Sequence, residues 1–93
     1  MKDKILEYKL QISTYGIQEI WLPREAEILT VQLRNHIPYL YALVDSLALP
    51  PTEKRGIIIV ESERLIHNDI KSYIGTFQLD CDLIYHVFEV LEE

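Results

Sequence analysis

The chain carries few side chains that could do chemistry, and their spacing limits what that chemistry could be. His36, His67 and His86 stand far apart, in a turn, a loop and an alternating segment. No His-x-x-x-His or Cys-x-x-Cys pair joins them, so metal-ligand spacing is missing. Cys81 is the only cysteine and lies between Asp80 and Asp82. A nucleophilic thiol wants cationic neighbours, and these are anionic. Glu61/Glu63 and Asp80/Asp82 are carboxylate pairs two residues apart. On a strand that spacing shares a face, but both pairs fall at loop ends and read as solvated charges, not as an acid/base couple. A Gly-rich phosphate loop and a nucleophile elbow are also missing. The expectation is a binder without catalytic residues, metal or cofactor.

A set of cationic and hydrogen-bonding groups near turns remains. Arg24, Arg34, Arg55 and Arg64 are placed to meet an anion. Arginine beside aromatic rings is suited to holding a phosphate and a base without turnover. Trp21, Tyr39 and Tyr41 could stack on the base, and Gln32 and Thr30 could hydrogen-bond it. The ligand expected for this set is small, anionic and nucleotide-like.

The elements that must position these residues follow from periodicity. Residues 5–12 alternate, with Leu6, Tyr8, Leu10 and Ile12 on one side. That is the period of a half-buried strand. Residues 17–22 make a second strand, stopped at Pro23. In residues 28–34, Leu29, Val31 and Leu33 should face inward. Residues 35–38 are the next turn, and 39–45 form a strand that is apolar on both faces. Residues 46–56, with Pro50-Pro51, read as a loop. The run Ile57-Ile58-Ile59-Val60 is too β-branched for a helix. Residues 61–71 are a polar connection with room for a short helix, and 72–78 with 83–91 form a last hairpin. The fold class is all-β: about seven mostly antiparallel strands in one domain, 1–93, as a small sandwich or a barrel-like sheet.

Parity assigns faces to the two hairpins. Pairing Arg34 with Tyr39 puts Thr30, Gln32, Arg34, Tyr39 and Tyr41 on one polar-aromatic surface and Val31, Leu33, Leu40 and Ala42 on the other. A two-residue loop at Cys81-Asp82 would pair Gln78 with Tyr85 and Thr76 with Val87. Both hairpins would then show a Thr/Gln/Tyr face, with Gly75 near His86 on the opposite side. A slip of two residues keeps these faces, and a slip of one exchanges them.

Composition bounds the partners. Hydrophobic residues make up 48% of the 93. A domain this small buries only about 60–65% of its unfolded surface. Apolar groups are therefore left over, and a homo-oligomer is expected to cover some of them. Net charge is −6, from 15 acidic and 9 basic residues. That opposes direct nucleic-acid binding. A lone cysteine suits a reducing compartment. Neither an N-terminal signal nor an apolar run of membrane-spanning length is seen. The expected location is cytoplasmic, without membrane contact.

The stretch Ile28-Leu29-Thr30-Val31-Gln32-Leu33-Arg34-Asn35-His36-Ile37-Pro38-Tyr39-Leu40-Tyr41-Ala42-Leu43-Val44-Asp45 resembles a family of small uncharacterised bacteriophage and prophage proteins. Tyr73-Ile74-Gly75-Thr76-Phe77-Gln78-Leu79, Tyr85-His86-Val87-Phe88-Glu89 and the opening Ile5-Leu6-Glu7-Tyr8-Lys9-Leu10 are similar to its other blocks. Residues 46–71 match poorly, and Asp80-Cys81-Asp82 stands where the family tends to have glycines. The resemblance implies phage origin and host cytoplasm. Small phage proteins of this kind often counter host defence, and two readings without turnover are expected: sequestering a nucleotide-derived defence signal, or protein–protein contact as an inhibitor of a host protein or a phage structural component. For the second, residues 39–45 and 83–91 would be the contact strands.

Overall fold

A computed structural model describes residues 1–48 and 52–92. Seven strands form: β1 (Lys4–Lys9), β2 (Gln18–Pro23), β3 (Glu27–Arg34), β4 (Ile37–Val44), β5 (Thr52–Glu61), β6 (Ile70–Leu79) and β7 (Leu83–Val90). They make two antiparallel sheets, ordered β1-β4-β3 and β2-β5-β7-β6. This is a two-layer sandwich without barrel closure, and residues 61–71 hold no helix. The Pro50-Pro51 loop lies outside the described residues.

The inner faces meet in a core of Leu10, Val31, Leu40, Ile57, Ile59, Ile74, Phe77, Tyr85 and Val87. A second cluster, Leu22, Ala26, Ala42 and Val44, closes the other end. The sheets come closest where β3 packs on β6. There Gly75 leaves no room for a side chain, because an added Cβ would stand 2.9 Å from Val31 Cγ1. The glycine expected beside His86 thus answers to the opposite sheet: it lies across from Val87, and His86 lies across from Thr76.

The β3–β4 hairpin turns tightly. Asn35 and His36 both have positive φ, 51° and 65°, as a two-residue type I′ loop requires. Arg34 therefore opposes Ile37, and Gln32 opposes Tyr39. This is a slip of two from the expected register, so the faces survive. Pro38 is in the strand rather than the turn, and its carbonyl accepts from Leu10 N–H at 2.9 Å. A bulge between Ile28 and Thr30 turns Leu29 outward, 39% exposed, where an inward side chain was expected.

The β6–β7 hairpin corrects its expected pairing. Its loop has three residues, 80–82, with Asp80 at φ 59°. Gln78 opposes Ile84 and Phe77 opposes Tyr85. The slip is one residue, so the faces exchange: Tyr85 is buried in the core, and the second Thr/Gln/Tyr face does not exist.

Candidate functional site

β5, an inner strand of the larger sheet, is longer than its neighbour β2. β2 pairs with β5 from Pro23↔Thr52 to Gln18↔Ile57 and stops there. β5 runs on to Glu61, paired on its other side with β7. Alternate backbone groups of residues 58–61 thus point away from β7 with no strand beside them. Ser13-Thr14-Tyr15-Gly16 turns the chain away, with Gly16 at φ 73°.

That unpaired edge, buried at Ile58 and Ile59 and partly open at Val60 and Glu61, borders a groove of about 670 Å³. The loop through Tyr15 forms one wall and residues 63–68 the other, with Glu63, Arg64, Leu65, Ile66 and His67 lining it. The walls are open and of mixed character, with Tyr15 89% and Leu65 82% exposed beside Glu63, Arg64 and His67. Both charge signs are present. Arg64 is highly exposed and only loosely paired, with Nε 3.7 Å from Glu61. Extended, unpaired backbone with exposed side chains such as Tyr15 and Leu65 beside it suits main-chain hydrogen bonding to another strand.

The nine residues nominated from the sequence fall in several places. Thr30, Gln32, Arg34, Tyr39 and Tyr41 share the outer face of the smaller sheet, as parity required. There Arg34 lies over the Tyr39 ring, 3.9 Å from its centroid, and its Nη1 is 3.0 Å from Glu7 of β1. Arg24 is exposed in the β2–β3 turn beside a smaller cavity of about 430 Å³. Trp21 projects from the outer face of β2, 60% exposed. Arg64 is in the groove. Arg55 is not in a loop, because β5 begins at Thr52 and its pairing with β2 carries Arg55 into the interior opposite Ile20.

Arg55 is held there by an ion pair. Its Nε and Nη2 donate to the two oxygens of Glu89, and Nη1 donates to the Ala26 carbonyl at 3.0 Å. Side-chain exposure is 11% for Arg55 and 5% for Glu89. The Glu89 hydrogen bonds raise the Arg55 pKa above its usual value, against the opposing effect of burial. The bidentate pair joins β5 to β7, and the bond to Ala26 ties the β2–β3 turn to them.

Sequence reasoning missed two other clusters. On the outer face of the larger sheet, His86 Nε2 is 2.7 Å from Ser62 Oγ and Nδ1 is 2.9 Å from Thr76 Oγ1. Thr76 Oγ1 is in turn 2.6 Å from Tyr73 Oη. A serine touching an imidazole is the start of a nucleophile–base pair, but the group orienting this ring is a neutral hydroxyl. Nothing there stabilises an imidazolium as a carboxylate does. Nearer the other end of β5, Lys54 Nζ lies 3.1 Å from Glu19 and 3.8 Å from Glu92. Lys54 lowers the Glu19 pKa, and Glu19 raises that of Glu92. The hydroxyl chain follows from a one-residue register that the sequence does not mark. No metal-holding group of His, Cys, Asp and Glu occurs among the described residues.

A family model matches residues 1–93. The chain belongs to the family described as Domain of unknown function, DUF7352. No curated protein and no solved structure gives a significant match. For this DUF7352 member the site must therefore be argued from its own geometry. The groove at β5 is larger than the cavity beside Arg24 and has unpaired main chain along it. No helix of the described residues is long and apolar enough to cross a membrane.

Proposed function

We propose that this protein is a non-catalytic binding and assembly module that pairs with a second copy of itself along the open edge of β5. The observation that carries the reading is the edge at residues 58–61, which no strand pairs and which opens toward a groove at Val60 and Glu61. Soluble proteins protect such edges with charge, proline or a covering segment. Here Ile58 and Ile59 are buried, and the edge is partly open only at Val60 and Glu61.

The geometry of self-pairing is restricted. Opposed residues of an antiparallel ladder share a face, so a two-fold axis between identical strands passes through a residue. An axis at Ile59 would set Glu61 opposite the second copy's Ile57, a place that Gln18 already fills. An axis at Val60 sets Val60 against Val60 and Ile59 against Glu61, and the β2 strands stay clear. The ladder is short, and a stable interface of standard size needs about 800 Å² per partner. Tyr15, Leu65 and Ile66 of the groove supply apolar surface beside it. Glu61 and Glu63 next to Arg64 and His67 give each copy both signs to match against the other. At net charge −6 the copies repel at long range, so salt should strengthen the pair.

Cys81 is the only cysteine and is exposed. A Val60→Cys variant in a Cys81→Ser background tests the pairing. Mild oxidation should give a disulfide-linked dimer at protein concentrations where a Trp21→Cys control stays monomeric. Equal cross-linking of both, or of neither, overturns the proposal. Cross-linking only when a host protein is added would assign the edge to a foreign strand instead.

A second reading keeps the small anionic, nucleotide-like ligand, and the Arg34–Tyr39 stack favours it. Thr30, Gln32 and Tyr41 lie on the same face, and the exposed Arg34–Glu7 pair is weak enough to exchange Glu7 for a phosphate. A thermal shift with cyclic nucleotides that Arg34→Ala abolishes supports it, and no shift with any nucleotide rejects it. The resemblance to phage and prophage proteins extends both readings to the host cytoplasm, with a defence signal or a defence protein as target.

A further inference from the structure

We infer that residues 15–17 form a strap that closes over the β5 edge and competes with strand pairing there. This rests on the proposed role of that edge and describes its regulation. The ladder between β2 and β5 keeps one register throughout, from Pro23↔Thr52 to Gln18↔Ile57. Continued by three residues, the same register places Ile17 opposite Ile58, Gly16 opposite Ile59 and Tyr15 opposite Val60. These are the positions a second strand would need. The strap and the groove already border each other, since Tyr15 and Gly16 line one wall and residues 58–61 another.

One residue stops the ladder from continuing. Gly16 has φ 73°, which turns the chain out of the strand direction. An added Cβ at Gly16 would meet nothing within 4 Å, so its role is conformational and not steric. Within the loop the Ser13 N–H donates to the Gln11 carbonyl at 2.9 Å, and the contacts beyond it are weak. The Ser13 hydroxyl reaches the Tyr15 carbonyl and amide only at 3.4 Å. Ile17 and Tyr15 are exposed, and extension along β5 would lay them against apolar neighbours.

The loop is long enough to close without coming apart. Its base is clamped by Gln18, whose side chain donates to the Gln11 carbonyl at 2.6 Å and accepts from the Gln11 N–H at 2.9 Å. Three extended residues back from Gln18 reach about 10 Å along β5. The return from Tyr15 to Gln11 spans four residues, which cover at most about 13–14 Å. Closure therefore leaves the clamp intact, and Gly16 serves as the hinge.

The test is Gly16→Val, read by hydrogen exchange in dilute solution and by dimerisation. A β-branched residue disfavours positive φ and favours the extended form, shifting the balance toward closure about tenfold. Amide exchange at Ile59, whose N–H faces away from β7, should slow by that factor, and dimer formation should weaken by a similar one. A Tyr15→Cys/Val60→Cys pair in a Cys81→Ser background should form an intramolecular disulfide in the dilute monomer. If exchange is unchanged and no intramolecular disulfide forms, the strap is excluded even where wild type dimerises. If both strap signals appear but wild type stays monomeric at every concentration, the strap stands and self-pairing fails.

Discussion

Arg55 was nominated for a ligand phosphate, yet the structure buries it in an ion pair, and the two roles predict opposite things. Replacing Arg55 with methionine keeps most of the volume and removes the charge. It leaves the Glu89 carboxylate 4% exposed, with only the half-exposed Lys71 ammonium nearby at 3.8 Å. Breaking one side of a buried pair costs about 3–5 kcal/mol. A domain of this size is stable by about 5–15 kcal/mol, so the variant should lose a large share of its stability. The double variant Arg55→Met/Glu89→Leu removes both charges and should recover most of the loss. It still leaves the Ala26 carbonyl without its donor, a deficit of about 1 kcal/mol. Urea unfolding followed by circular dichroism measures all three proteins. The expected coupling between the two substitutions is about 2–4 kcal/mol. Single variants that each cost under about 1 kcal/mol and simply add would refute an interior pair. Loss of ligand binding at full stability would return Arg55 to a binding role.

Other consequences are equally direct. Gly75→Ala pushes a methyl against Val31 and should cost about 1–3 kcal/mol in urea unfolding, with Val31→Ala in the same chain relieving part of it. Asp3 accepts from the Ser46 amide and hydroxyl, which lowers its pKa below the usual 3.8. A lowered folded pKa gives stability that is present above the unfolded value and lost as pH falls through the folded one. The advantage of wild type over Asp3→Asn should therefore disappear on acidification through that range, and an advantage that persists in acid would contradict this. Ser62 touches His86 but lacks a charged third member. An activated ester should then show no burst with wild type, and Ser62→Ala should leave its slow background hydrolysis unchanged.

The fold was largely legible because alternation survives most errors of register. Thr30, Gln32, Arg34, Tyr39 and Tyr41 stayed together although the turn at Asn35-His36 moved their partners by two. The same reasoning failed at β6–β7, where an extra loop residue at Asp80 exchanged the faces and sent Tyr85 inward. A positive φ at aspartate leaves no mark that distinguishes a three-residue from a two-residue loop. Bulges are equally silent, as Leu29 shows. The nominated site scattered for a different reason. Arg55 looked like a loop residue because Pro50-Pro51 sits just upstream, but pairing with β2 draws the strand back to Thr52. The groove itself could not be read from local pattern, because it arises where one strand outlasts its neighbour, a property of two distant segments.

Sedimentation velocity of wild type and Val60→Lys over a common concentration series tests the central proposal most directly. An axis at Val60 would set two lysines against each other across the ladder. Wild type should sediment as a monomer–dimer equilibrium that added salt shifts toward dimer, while Val60→Lys stays monomeric with an unchanged far-ultraviolet spectrum. Wild type that remains monomeric throughout, or a folded Val60→Lys that dimerises as well as wild type, would contradict pairing at the β5 edge.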